Sequence, residues 1–209
     1  MKKQERVKSY DLSKRLVEIG IERKKDFYNS RWAKSVIEDW KVYASTKSRG
    51  FDGEKLICEY FEFLGFDCIK CNNKEGCDII VAGYGITKRI EIKTSTISEN
   101  GNYKINQLRD QKYDLLLCYN IDEKNNHSIY IVPKPVIVNL IKKGIIKGQH
   151  SGKTAKETKS TTLDIIIKAI GDSYLVNSED IKKATKSNNA HYKKVLAKIK
   201  TLLGIKKAK

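Results

Sequence analysis

Apolar and polar positions along this chain change period several times, and each change marks an element. Over residues 1–50 apolar side chains recur at helical intervals in a polar background, with Leu16, Ile19, Ile21, Trp32, Val36, Ile37 and Trp40 available for a buried face. Small and charged residues from Ser45 to Asp52 predict a break. The helical pattern resumes at Glu54–Leu64 and closes at Gly65, where a C-terminal cap favours a residue able to take positive φ. Phe66–Cys71 has strand character and Asn72–Gly76 reads as a loop. Asp78–Val81 and Lys88–Lys93 flank Gly83-Tyr84-Gly85, the turn of a predicted hairpin. Helical spacing returns over Tyr103–Lys112. The unbroken apolar run at Asp114–Ile121 predicts a strand covered on both faces, and His127–Val132 alternates as a strand leading into Pro133. A helix over Lys134–Lys143 stops at Gly144, and a strand is expected over Thr161–Lys168. Val195, Leu196, Ile199, Leu202 and Leu203 mark a final helix.

This order predicts an α/β fold with a mixed central sheet flanked by helices. The expected organisation is a helical N-terminal extension at 1–50, a core at 51–177 and a basic helical extension at 178–209. At 209 residues the chain is long enough for a substantial hydrophobic core. The formal charge of +17 adds a partner class, because a chain this basic favours polyanions such as DNA or RNA. A composition rich in Lys, Ile and Asn raises charge by itself, so the charge supports nucleic-acid binding without defining it. No apolar run approaches the ~20 residues that span a bilayer, and Met1-Lys-Lys-Gln-Glu opens no signal peptide. A cytoplasmic protein without membrane contact is expected, its five cysteines reduced and packed. Cys68 and Cys71 have zinc-like spacing, but residues three apart on a strand face opposite ways and no second ligand pair stands near.

Chemistry concentrates in the hairpin. Side chains alternate along a strand, so Glu91 and Lys93 share one face while Ile90 and Ile92 take the other. If pairing is symmetric about the Tyr84–Gly85 bond, Asp78 lies across from Glu91, with Cβ atoms roughly 5 Å apart. Like charges that close destabilise a sheet unless something positive sits between them, and a divalent cation meets that need. A surface cluster of cross-strand charges is the plainer reading of the same residues.

In order and spacing, Asp78, Glu91 and Lys93 resemble the acid, acid and lysine of the PD-(D/E)xK nuclease superfamily. The proline that usually precedes the first acid is Cys77 here, and that position carries no chemistry. The resemblance covers about residues 51–132. It implies a restriction-endonuclease-like core and hydrolysis of phosphodiester bonds with Mg²⁺, for which Mn²⁺ can substitute. Mg²⁺ takes few protein oxygens and keeps several waters. Asp78, Glu91 and the backbone carbonyl of Ile92 are the expected ligands, with Lys93 orienting water or neutralising developing charge. The superfamily also places an acid on the helix before the first strand, which Glu54 matches, and a Gln or Arg on the helix after the lysine. Gln107 matches the latter, and Arg109 is a phosphate-contact candidate.

Lys147, Gln149, His150, Ser151, Lys153, Thr154 and Lys156 stand in a glycine-punctuated segment near 147–160 suited to phosphate and base-edge contacts. Such a segment is similar to base-reading loops of Type II restriction endonucleases. Gly152-Lys153-Thr154 lacks the upstream glycine of a P-loop. From Ser178 onward ten lysines face Glu179 and Asp180, which suits a helix tracking phosphates. The resemblance therefore implies a site-specific Type II endonuclease acting on double-stranded DNA as a homodimer, with a cognate DNA methyltransferase in the same host. A structure-selective nuclease of the junction-resolvase or repair type uses the same core. A non-catalytic DNA-binding protein is the rival from another class.

Overall fold

A computed structural model of the protein describes residues 10–23, 46–72, 75–96, 103–105, 108, 111–122, 124–146, 161–184 and 189–205. In chain order its elements are α1 (Leu12–Arg23), α2 (Thr46–Phe63), β1 (Asp67–Lys70), β2 (Ile79–Gly83), β3 (Ile86–Thr96), β4 (Lys104–Ile105), β5 (Leu115–Ile121), β6 (His127–Pro133), α3 (Lys134–Lys142), β7 (Thr161–Thr162), α4 (Leu163–Ile170), a 3₁₀ turn at Gly171–Tyr174, β8 (Leu175–Val176), α5 (Ser178–Lys183) and α6 (Ala190–Leu202). Six strands make one mixed sheet in the order β1-β2-β3-β5-β6-β8, and β4 pairs with β7 in a separate ribbon. Only β3 and β5 run parallel within the main sheet.

The apolar run at Leu115–Ile121 is buried at all seven positions, as its lack of alternation predicts for a central strand. Its residues serve two cores. Leu115, Leu117, Tyr119 and Ile121 join Ile90 and Ile92 under α1, α2 and α6, while Leu116 and Cys118 join α3 and α4 on the opposite face. The end helices thus share the first core, α1 through Leu12, Leu16 and Ile19 and α6 through Tyr192, Val195 and Ile199. The Ser13 hydroxyl lies 2.6 Å from His127 Nε2, and His127 Nδ1 lies 2.6 Å from the Tyr119 hydroxyl, which ties α1 to β5 and β6.

Gly65 ends α2 with φ of +87°, Gly65 N–H donating to Glu62 O and Phe66 N–H to Phe61 O. The Phe61 and Phe66 rings meet edge-on at 5.7 Å across that cap, the apolar contact this motif carries. Gly144 closes α3 by the same pair of bonds.

Four expectations are corrected. The break at Ser45–Asp52 is absent from Thr46 onward, because α2 runs through Gly50 and Gly53 without interruption. Gly53 is a packing residue: a Cβ there would lie 1.9 Å from Thr94 Oγ1, so its missing side chain lets α2 rest on β3. Within 103–112 the described residues are strand or irregular, with Ile105 buried in the second core and paired to β7. Thr161–Lys168 is mostly the helix α4, with Ile166 buried, Ile165 exposed and Gly171 following at φ +67°. Here packing of one apolar stripe overrides the strand preference of branched residues. Lastly, Cys58 and Cys68 form a disulfide with Cα atoms 5.5 Å apart, where reduced thiols were expected. The cap at Gly65 folds β1 back along α2 and brings the two cysteines together.

Candidate active site

The hairpin that joins β2 to β3 turns on two residues, Tyr84 at φ +52° and Gly85 at φ +79°. Two central residues of positive φ give a turn whose twist matches the strands. Pairing then runs from Gly83↔Ile86 to Ile79↔Ile90. The symmetric register ends there: Asp78 precedes β2 and its N–H bonds to Ile90, the residue Ile79 already pairs with. Asp78 therefore does not take the place across from Glu91 that the sequence predicts, and reaches β3 through its side chain. Asp78 is held on three sides: its N–H donates to Ile90 O at 3.0 Å, its carbonyl accepts from Cys71 N–H at 2.8 Å, and its Oδ2 accepts from Ile92 N–H at 2.6 Å. Because N–H and C=O of one strand residue point along the same edge, the Ile92 carbonyl faces the side on which Asp78 lies.

Glu91 and Lys93 share a face, with Lys93 Nζ 2.6 Å from Glu91 Oε1. In the parallel register they neighbour Leu116 and Cys118, which places them over the second core. The Glu91 side chain keeps 8% of its accessible surface. Burial raises its pKa, Lys93 lowers it, and Asp78 and Glu54 raise it, for a net upward shift. Glu54 shifts upward as well, by burial first, against a lowering bond from Lys70 and with a raising field from Asp78. Its Oε2 lies 2.8 Å from Lys70 Nζ at the end of β1. Glu54, Asp78, Glu91 and Lys93 therefore occupy one electrostatic neighbourhood, built from α2, the start of β2 and the middle of β3.

The donor set suits a hard divalent cation: carboxylate oxygens, one backbone carbonyl direction, and buried acids whose ionised forms are raised in energy by their surroundings. Among the described residues no group of three or more His, Cys, Asp or Glu side chains is disposed to hold a metal ion. Any ion bound here would rest on two carboxylates with backbone and water, as Mg²⁺ sites commonly do.

Three residues went unnoticed in the sequence. Lys70 pairs with Glu54, and it neighbours Ile79 in the β1–β2 register, one residue from Asp78. Phe51, one turn before Glu54, is 47% exposed and has Lys70 Nζ 3.4 Å from its ring centroid. Asn120 is wholly buried beside Ser95, and its Oδ1 has no hydrogen-bond partner. Only Lys70 left a usable signal, through the strand register.

Gln107, Arg109, Lys147, Gln149, His150, Ser151, Lys153, Thr154 and Lys156 lie outside the described residues. Several C-terminal lysines are engaged within the fold. Lys194 pairs with Asp180 at 2.8 Å, Lys183 with Glu179, Lys198 Nζ donates to Ser173 O at 2.6 Å, and Lys200 Nζ sits 3.4 Å over the Tyr84 ring. Cys71 and Cys77 bring their sulfurs to 3.0 Å beside Asp78, and Cys68 is bonded to Cys58, so the Cys68/Cys71 spacing forms no zinc pair. Among the described residues no helix is long and apolar enough to cross a membrane.

No family model and no curated protein matches the chain in sequence. Among solved structures it is similar to a bacterial homing endonuclease, with a TM-score of 0.39 and 18% identity, covering 61% of this chain and 98% of that one. A likeness of that size leaves the functional reading to the site itself.

Proposed function

We propose that the protein is a metal-dependent endonuclease that hydrolyses phosphodiester bonds of DNA at Asp78, Glu91 and Lys93, with Glu54 as the flanking acid. One observation carries this reading: the Asp78 carboxylate, bonded to the Ile92 N–H, stands beside the Glu91–Lys93 pair of the same strand, with Glu91 buried and its pKa raised. A purely structural charge cluster gains nothing by burying a carboxylate whose ionised form is disfavoured, whereas a site for a cation and a phosphate does. Hydrolysis needs water oxygen to attack phosphorus while the ester P–O bond breaks and the leaving oxygen takes a proton. Bound at Asp78 and Glu91, Mg²⁺ would place positive charge on the phosphate oxygens and lower the pKa of water. Asp78 is pre-oriented by the Ile92 N–H, so little reorganisation is needed there. Lys93 holds an ammonium beside Glu91, where it can donate to a phosphate oxygen or orient the attacking water.

The net charge of +17 fits a polyanionic substrate. In its sequence-specific form this reading is a Type II enzyme that cuts a two-fold duplex site as a homodimer beside a cognate methyltransferase. A second form, a structure-selective nuclease, is favoured by the exposed Phe51 ring next to the acids. The test is incubation of supercoiled plasmid with Mg²⁺ or Mn²⁺. Discrete fragments support the site-specific form, and cleavage confined to branched or single-stranded regions supports the second. Intact plasmid, duplex and branched DNA at every metal and pH would refute the enzyme. Full activity of both Asp78→Ala and Lys93→Ala would refute the site.

A further inference from the structure

We infer that Phe51 and Lys70 form a stacking platform for an unpaired nucleobase of the DNA strand whose phosphate enters the acidic site. The inference rests on the nuclease reading for its substrate class and adds a binding site to it. Aromatic side chains are ordinarily drawn inward, and an exposed one needs a reason only where its neighbours are chemically suggestive. Phe51 is 47% exposed on α2, three residues before Glu54 and on the same side of the helix. Lys70 Nζ stands 3.4 Å from its ring centroid and at the same time 2.8 Å from Glu54 Oε2. One face of the ring is thus covered by a cation, so its exposed area lies on the other face and the edges. Every nucleobase has a π-face that can stack on such a ring, and a cation behind the ring favours electron-rich partners.

Lys70 links the ring to the acids. When its Glu54 contact is exchanged for a backbone phosphate oxygen, the ammonium holds that phosphate beside Glu54, whose carboxyl lies within the field of Asp78. A base inside an intact duplex offers no free π-face. The platform therefore selects a strand with at least one unstacked base, such as a flap, a gap or a flipped nucleotide.

The test uses the full chain in EDTA, so that binding is read without cleavage. Fluorescence anisotropy is measured on three labelled oligonucleotides: a blunt duplex, the same duplex with a single-stranded overhang, and that overhang made abasic. The wild-type protein is expected to bind the overhang substrate about tenfold more tightly than the abasic one. Phe51→Ala removes that preference with duplex affinity unchanged, and Phe51→Trp restores it. Equal affinity of the wild type for the overhang and abasic substrates would overturn the platform, as would a Phe51→Ala loss shared equally by all three. Because the abasic comparison needs no variant, it stands even if a substitution perturbs folding. Loss of cleavage activity with the base preference intact would refute the nuclease reading alone, so the two failures are distinguishable.

Discussion

Glu54 and Glu59 stand little more than one turn apart on α2, each touching a basic side chain, yet their carboxyls shift in opposite directions. Burial raises Glu59 too, but Arg15 grips it with two bonds of 2.7 and 2.9 Å, Tyr10 donates a third at 2.7 Å, and the net shift is downward. Arg15 also reaches Glu18 and Glu22, and together with Lys55 it holds Glu22 at about 2. Glu54 and Glu91 each meet one lysine, which does not offset burial and the neighbouring acids. A planar guanidinium satisfies both oxygens of a carboxylate, whereas an ammonium is a point charge that leaves capacity unused. One cluster is closed and holds α1 to α2. The other is under-compensated, as the proposed cation site would require.

The largest expected effect separates the two clusters by function. Asp78→Ala or Lys93→Ala should lower cleavage by at least about 10²–10³-fold, read on plasmid DNA, in a protein that still folds with a melting temperature only modestly lowered by the lost Ile92 or Glu91 partner. Arg15→Ala should do the reverse, costing about 2 kcal/mol of stability by chemical denaturation while cleavage by the folded fraction persists. If Arg15→Ala abolishes cleavage at temperatures where it is folded, the clusters are not separable.

Acidity should divide them too. Glu91 has a folded pKa above its ordinary 4.5, so its ionisation costs stability as pH rises through that range. Glu91→Gln should therefore melt higher than wild type at neutral pH, the gap closing as pH falls below about 4.5. Glu59 has a folded pKa below the ordinary value. Glu59→Gln should melt lower at neutral pH, with the gap closing only as acid protonates the wild-type carboxylate. Mg²⁺ should raise the melting temperature of the wild type and of Glu59→Gln, and do little for Asp78→Ala. Identical pH profiles for the two Gln variants, or no effect of Mg²⁺ on the wild type, would remove the distinction.

The site's core was readable because it lies in one hairpin. Alternation put Glu91 and Lys93 on one face, and the turn fixed the register as far as Ile79 and Ile90, whereas Asp78 leaves that register and bonds to Ile90 and Ile92 instead. What escaped was set by contacts between elements. Ser45–Asp52 looked like a break because its residues are small and charged, yet α2 runs through it from Thr46, and Gly53 just beyond is where α2 touches Thr94 of β3. The Cys58–Cys68 bond depends on how the Gly65 cap reverses the chain, which spacing alone does not give. The stretch Leu163–Ile170 carries branched residues typical of strands, and the burial of Ile166 in the second core decides for a helix. Lys70 and Phe51 became relevant to the acids through the β1–β2 register and the exposure of one ring.

The smallest expected effect concerns the polar strip beyond Lys93. Ser95 and Asn120 are paired in register on the same face as Glu91 and Lys93, and both are buried. Asn120 Nδ2 donates to the Cys118 carbonyl at 3.3 Å, but Oδ1 accepts nothing. A buried acceptor left unsatisfied costs roughly 1–3 kcal/mol. An apolar replacement of similar shape removes that cost together with one long hydrogen bond. Asn120→Leu should thus raise stability by about 1 kcal/mol, measured by urea denaturation. Burying an unsatisfied amide is the same kind of expense as burying Glu91, and its position on the site face extends the under-compensated region along β3 and β5. If Asn120→Leu destabilises the protein, the amide is doing structural work and belongs with the Arg15 cluster. If it stabilises the protein and slows cleavage, the region of unmet polar demand extends two residues past Lys93 and serves the substrate there.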